Sequence, residues 1–415
     1  MCLSSVRGLR VGSLLEQRRP CDGVPAPMTQ LVFPHFTLKV ARVSLLFTPF
    51  SLPSPHGGLS LANRIVIAPM CQYLAEGGEA NDWHLAHWTG LLNSGAGLFT
   101  IEATAVTESG RITHGCLGLW DDRTEKALGD NLHRARKLAP KMPVCIQLAH
   151  AGRKASSAVP WGGGQLIRLD QGGWQPLAPS ALPQLSAEAP PAAMTLQDMA
   201  QVRDAFVTAA RRSQRLGIEA VELHGAHGYL LHQFLSPIAN QRTDAYGGSA
   251  DNRMRYPLEV FAAVRQAFDG PLGMRVSASD WVEGAWDLAQ TTEFALRLKA
   301  LGCDFIHVSS GGASPQQKIA IGPGYQVPFA GHIRKASGMA TTAVGLITQP
   351  QQAEDVLQAG DADLIALARA LMYKPRWPWE AAAALGATVT ASPQYWRGLP
   401  REAQSVFGDV RIGMR

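Results

Sequence analysis

The apolar run Ile218-Glu-Ala-Val-Glu-Leu223 ends in His224-Gly-Ala-His227-Gly-Tyr229. A short β-run that stops at two imidazoles and a phenol brings N–H and O–H donors into one small volume, a device for gripping an oxygen. Read alone, the same spacing also fits a satisfied polar cluster that closes a strand, or a metal pair awaiting a third ligand. Two further sets narrow the chemistry. Ser309-Ser310-Gly311-Gly312, Gly345 and Arg369 follow three later β-runs, and glycine-rich turns with one guanidinium make a phosphate site. Gln147 and Arg275 lie inside β-runs of their own. A planar donor amide and a fixed cation suit a flat heterocycle that becomes anionic on reduction, as a flavin does at its pyrimidine edge. Pairing with Glu222 is the other use open to Arg275, and Gly345 by itself would be only a turn.

Something must carry these residues to one place. From Arg64 onward, short β-branched runs alternate with longer amphipathic stretches. The candidate strands are Ile65–Ala68, Leu98–Ala103, Val144–Leu148, Ala220–Leu223, Leu272–Val276, Phe305–Val308, Thr342–Val344 and Leu364–Ala368. Between them lie helical patterns such as Met199–Leu216, with Val202, Phe206, Ala209 and Ala210 on one face. Alternation of this kind builds either a (β/α)8 barrel or an open doubly wound sheet. No G-x-G-x-x-G follows an early strand, so the fingerprint of the open sheet is missing. Cys71, Gln147, the His pair, Arg275, the Ser309–Gly312 run, Gly345 and Arg369 fall in or just after seven of the eight strands, where a barrel gathers them at one mouth. The expected fold is therefore an α/β (β/α)8 TIM barrel. Ala155–Ala189, rich in glycine and proline, reads as a lid or hairpin over that mouth, and Pro53–Gly58 as a turn at the closed end.

Composition supports one large enzyme domain. The chain has 415 residues, 46% of them hydrophobic and 17% charged, enough for a barrel-sized core. Its net charge of +5 is dispersed, which argues against nucleic-acid binding. Cys2, Cys21, Cys71, Cys116, Cys145 and Cys303 show no paired spacing, so neither a zinc site nor a disulfide framework is indicated and a reducing cytoplasm fits best. No apolar run approaches the roughly 20 residues of a membrane span. Residues 1–44 carry Arg7, Arg10, Arg18 and Arg19 and are expected to be a non-core extension, either a leader or a mis-start upstream of Met28. The barrel is expected over 45–390, with 391–415 as a tail.

Four longer motifs carry a resemblance. Asn63-Arg-Ile-Val-Ile-Ala-Pro-Met-Cys71-Gln-Tyr73, Gln147-Leu-Ala-His-Ala-Gly-Arg-Lys154, His224-Gly-Ala-His-Gly-Tyr-Leu-Leu-His-Gln-Phe-Leu-Ser-Pro237 and Arg242-Thr-Asp-Ala-Tyr-Gly-Gly-Ser249 resemble the signatures of old yellow enzymes over about Leu45 to Arg401. Pro-Met-Cys and the Cys71/Tyr73 pair are similar to the bacterial, thermophilic-like ene-reductases of that family. The resemblance implies a barrel that holds FMN, takes hydride from NADPH or NADH, and passes it to the β-carbon of an activated alkene by a ping-pong mechanism. It implies that Ala68, Pro69, Met70, Cys71, Ala103, Gln147, Arg275, Gly312, Gly345, Ala368 and Arg369 hold FMN. By the same resemblance His224 and His227 bind the substrate oxygen, Tyr229 supplies a proton, Tyr73 touches substrate and Cys71 tunes the flavin. Gln394-Tyr-Trp-Arg397-Gly resembles a segment that sends an arginine into a neighbouring subunit's mouth, which implies a homodimer or homotetramer. Ala368 departs from the glycine usual at its position.

The physical logic agrees with these roles. Hydride addition to an enone builds negative charge on the carbonyl oxygen, where imidazole N–H donors stabilise it, and a phenol of ordinary pKa about 10 can protonate the enolate carbon. An iron–sulfur branch of the same superfamily needs a later cysteine cluster, and no cysteine follows Cys303. A flavin-free lyase or isomerase acting on a phosphorylated substrate is the alternative, but it would want a catalytic lysine or paired carboxylates at the strand ends. A non-catalytic flavin protein has no need of a proton donor.

Overall fold

The computed structural model describes residues 43–411 and Gly413. The expected extension therefore lies almost wholly outside the described residues. Eight parallel strands close into a barrel: β1 Ile65–Ile67, β2 Leu98–Ala105, β3 Val144–Ala149, β4 Ala220–Gly225, β5 Leu272–Ser277, β6 Phe305–Ser309, β7 Ala340–Ala343 and β8 Leu364–Leu367. Their helices are α1 Asp82–Leu92, α2 Asp122–Lys137, α3 Leu196–Arg215, α4 Ala250–Arg265, α5 Leu288–Ala300, α6 Val327–Ser337, α7 Pro350–Gln358 and α8 Trp377–Leu385. All eight expected strands are present, most of them running a residue or two further toward the mouth. β8 stops one residue earlier than expected, because Ala368 turns to φ −101°, ψ −91° and starts the short helix Arg369–Tyr373.

Local chemistry explains these elements. Every residue of β2 to β8 is buried, as strands sandwiched between a barrel interior and a ring of helices must be. Asn81, Asp121 and Thr195 begin α1, α2 and α3 with reciprocal capping boxes, each satisfying otherwise orphaned N–H groups. Val202, Phe206, Ala209 and Ala210 are the buried stripe of α3, as its periodicity requires.

The hairpin Phe50–Leu52 with Leu59–Leu61, turned by Pro53–Gly58, closes the base of the barrel. Leu52 and Leu61 are fully buried against Val66, Leu98, Ala220, Phe305, Ala340 and Leu364 near the strand starts. At the other end the segment after β3 has three-residue 3-10 turns and a two-residue ladder, Leu177–Ala178 with Ala192–Ala193. Arg242 ties down its base by donating to the carbonyls of Pro179 and Met194. Trp161 in this segment meets the Tyr73 ring edge-on at 5.8 Å, so it is a lid over the mouth rather than a simple hairpin. The C-terminal residues fold back, with Val406 and Phe407 packed on Ala382 and Val389.

Candidate active site

Strand register decides which side chains meet. Gln147 is paired with Glu222 across β3 and β4, and Arg275 lies between His224 on β4 and His307 on β6. Beyond β4 the chain turns tightly, with His227 at φ 57° and Gly228 at φ 72°, and Tyr229 caps the short helix Leu230–Leu235. This turn folds the three expected donors together: the His224 ring lies 5.2 Å from that of His227 and 4.8 Å from that of Tyr229, edge-on to both.

Both imidazoles are held neutral. Burial, reinforced by the nearby Arg275 charge, pushes each well below the usual histidine range. A neutral imidazole has one donor and one acceptor nitrogen. His224 Nδ1 accepts the Ala226 N–H at 3.3 Å, which leaves its proton on Nε2 as a free donor. His227 is held through its other nitrogen: its Nε2 is 2.7 Å from Ser309 Oγ at the end of β6, and Nδ1 remains for a ligand. Burial also raises the phenols of Tyr229 and Tyr73, so Tyr229 is a weaker acid than an ordinary tyrosine and stays protonated. The Cys71 thiol is pushed up by burial and by neighbouring Cys116, which keeps it neutral and unsuited to nucleophilic attack.

The residues expected to hold FMN lie in or just after the strands β1, β2, β3, β5, β6, β7 and β8. Arg275 is only 7% exposed, its Nε has no partner, and its side chain makes no hydrogen bond among the described residues. It is not paired with Glu222, whose oxygens are taken by Gln147 Nε2 at 2.7 Å and His307 Nδ1 at 2.9 Å. A buried guanidinium without a partner is costly unless a ligand completes it, and an anionic heterocycle edge does so. Gln147 gives one amide N–H to Glu222, which fixes the side chain and leaves its second N–H and its oxygen for a ligand. The short helix at Arg369 has no side-chain cap, and Gly345 and Leu346 both take left-handed φ, so the ends of β7 and β8 present backbone N–H groups as an anion site would. Ala68, Met70 and Ala368 line one small cavity near the ends of β1 and β8, with Pro69 between the first two and buried Ala103 on the adjoining β2. Gly312 is needed for another reason: its N–H goes to Gln317 Oε1 at 2.7 Å, and a Cβ there would come within 2.6 Å of His227 Cα.

Several site residues escaped the sequence reading. Lys154 donates from Nζ to the carbonyl oxygens of His227, at 2.8 Å, and Gly312, and burial followed by the nearby Arg153 charge lowers it to about 8. Ser277 accepts the His227 N–H and donates to the Gly311 carbonyl, both at 2.9 Å. Glu102, buried in β2, accepts the Gln72 N–H at 2.9 Å and is pushed up to about 8 by desolvation. The available signal was a charged residue inside an otherwise apolar strand, as at Glu102 and Glu222. Arg397 is not brought to this mouth. It is exposed on the turn Pro393–Gly398, near where Ser392 bonds to Asn93 at the C-terminal end of α1, on the closed side of the barrel.

Residues 45–386 match the model of the NADH:flavin oxidoreductase / NADH oxidase family. The chain belongs to that family. Among its members, the NADPH dehydrogenase of Geobacillus sp. (strain WCH70) is 42% identical over 357 residues, covering 86% of this chain and 98% of the relative. The NADPH dehydrogenase of Listeria innocua is 42% identical over 360 residues, covering 86% and 99%. Morphinone reductase, solved in complex with tetrahydroNAD, superposes with a TM-score of 0.66 at 27% identity over 84% of this chain and 93% of its own. The old yellow enzyme resemblance carried by the motifs is thereby borne out, and the protein is an NAD(P)H-dependent FMN oxidoreductase of this family. No helix among the described residues is long and apolar enough to cross a membrane.

Proposed function

We propose that the protein is an ene-reductase for alkenes activated by a carbonyl or nitro group. The observation that carries this reading is the grouping of His224, His227 and Tyr229 at the mouth of a barrel that also holds the unpaired Arg275. The chemistry that bound FMN would supply is hydride transfer from NAD(P)H to the alkene β-carbon. Arg275 would face its pyrimidine edge, with the amides around Gly345, Ala368 and Arg369 and the Arg369 guanidinium at its phosphate.

The chain's own residues then divide the work. His224 Nε2–H and His227 grip the substrate oxygen, and because both rings are neutral they polarise it without carrying net charge. Tyr229 holds its proton firmly, so it yields it to the strongly basic Cα of an enolate rather than to water. Tyr73 and the lid's Trp161 wall the pocket. With no nucleotide-binding fold elsewhere among the described residues, nicotinamide and alkene use the same pocket in turn, which gives ping-pong kinetics. Arg397, lying away from its own mouth, serves a neighbouring subunit's mouth in a homodimer or homotetramer.

The test is an anaerobic visible spectrum before NADPH, after NADPH and after 2-cyclohexenone. The expected result is a flavin band that bleaches and then returns. A band that bleaches but is not restored by enones, maleimides or nitroalkenes overturns the substrate class.

A further inference from the structure

Gly228 joins the two residues whose aim matters most, and every polar group of the two peptides flanking it is taken. In the His227–Gly228 peptide the carbonyl accepts from Lys154 Nζ at 2.8 Å, and the N–H donates to His232 Nδ1 at 2.9 Å. In the Gly228–Tyr229 peptide the carbonyl accepts from Gln233 Nε2 at 2.7 Å, and the N–H donates to the Ala226 carbonyl at 3.1 Å. Rotating either peptide breaks two hydrogen bonds at once in a site that water cannot readily repair. The restraint has something to hold, since His227 sits at φ 57°, a left-handed conformation that is strained for a non-glycine residue.

Behind this turn stands a buried relay. His232 and Asp280 are each fully buried, and Gln233 is 1% exposed. Because His232 Nδ1 accepts a backbone N–H, its proton is on Nε2, which lies 2.9 Å from Asp280 Oδ1, although not aligned for a linear hydrogen bond. Asp280 is itself oriented, with Oδ2 accepting from Ser236 Oγ at 2.6 Å and from the Trp286 N–H at 3.2 Å. Gln233 spans the gap to β3, donating also to the Ala151 carbonyl and accepting the Arg153 N–H, each at 3.1 Å.

We propose that His232, set in its Nε2–H tautomer by Asp280, and Gln233 are positioning residues that lock the Gly228 turn and thereby aim His227 and Tyr229. The inference rests on Tyr229 being the proton donor. Carboxylate control of an imidazole tautomer is a recognised way to orient a working group, and a misplacement of about 1 Å is enough to cost roughly a hundredfold in rate.

Asp280→Asn tests this without changing shape. The Trp286 N–H can only donate, so the new amide must turn its oxygen toward Trp286 and its NH2 toward His232. The His232 proton then moves to Nδ1, where it opposes the Gly228 N–H. The expected result is a tenfold or greater fall in the rate at which enone reoxidises the flavin, with FMN content and flavin reduction by NADPH within twofold of the parent. Two-bond 15N–1H spectra of histidine-labelled protein should show the His232 Nε2–H form in the parent and the Nδ1–H form in the variant. His232→Asn, whose side-chain oxygen can replace Nδ1 as acceptor, should retain the oxidative step within about threefold, whereas His232→Leu should lose it as Asp280→Asn does, and this pair decides the matter if Asp280→Asn does not fold. Equal loss in both half-reactions, loss of FMN, or an Nδ1–H form in the parent overturns the proposal. If the parent reduces no alkene, the functional reading has failed. The tautomer change, with weakened binding of phenol as the probe of His227, then still tests the positioning role.

Discussion

At the closed end of the barrel, Leu52 and Leu61 fill the space among Val66, Leu98, Ala220, Phe305, Ala340 and Leu364 in one buried apolar cluster. At the mouth, the same strands deliver Arg275 without a partner, Glu222 shared between Gln147 and His307, Glu102 pushed up to about 8, and His227 in a left-handed turn. One end gains free energy from each group it buries, and the other loses some in order to present charge and donors. Function in this barrel sits where burial is least favourable.

The sharpest way to separate the two ends is Tyr229→Phe. It should slow reoxidation of the flavin by enone by about 10²–10⁴, the usual contribution of a positioned acid, while leaving thermal stability and reduction by NADPH unchanged in stopped-flow traces. Leu61→Ala should do the converse: chemical denaturation should show a loss of about 2–5 kcal/mol, with both half-reactions of the folded protein intact. Glu102 tests whether the mouth is paid for in stability. Its folded pKa is raised from 4.5 to about 8, so between those values the folded state binds more protons than the unfolded chain, and stability falls as pH rises until the loss is complete above about 8. Glu102→Gln, which keeps an acceptor for the Gln72 N–H, should flatten that slope and gain about 3–5 kcal/mol at pH 9. Arg275→Met should stabilise the flavin-free protein by about 1–3 kcal/mol while weakening FMN binding by more than tenfold in a fluorescence titration. The smallest effect belongs to Arg397→Ala, a severalfold rise in alkene KM in a demonstrated oligomer with kcat preserved. An unchanged KM would remove that residue from the site.

Much of this is legible in the sequence. The eight strands were readable because a buried parallel strand is a short β-branched run, and the site because its residues follow those runs. Arg369, Gly345 and Arg275 lie where the sequence pattern places them. The detail was less legible where one residue's role depends on a distant partner. Gln147 is held by Glu222 across the register, a contact between neighbouring strands that no local pattern shows. Gly312 was expected to serve the phosphate, yet its N–H is bound by Gln317 and its missing Cβ makes room for His227.

The sequence by itself determined the fold class, the order of the strands and the list of groups able to do chemistry, because periodicity and residue type are local properties. Tertiary structure alone decided which nitrogen of each imidazole is free, that Arg275 has no partner, and that Lys154, His232 and Gln233 converge on one glycine. Those outcomes depend on strand register, burial and contacts between residues far apart in sequence, such as the bond of His307 to Glu222 across 85 positions, and no local pattern encodes them.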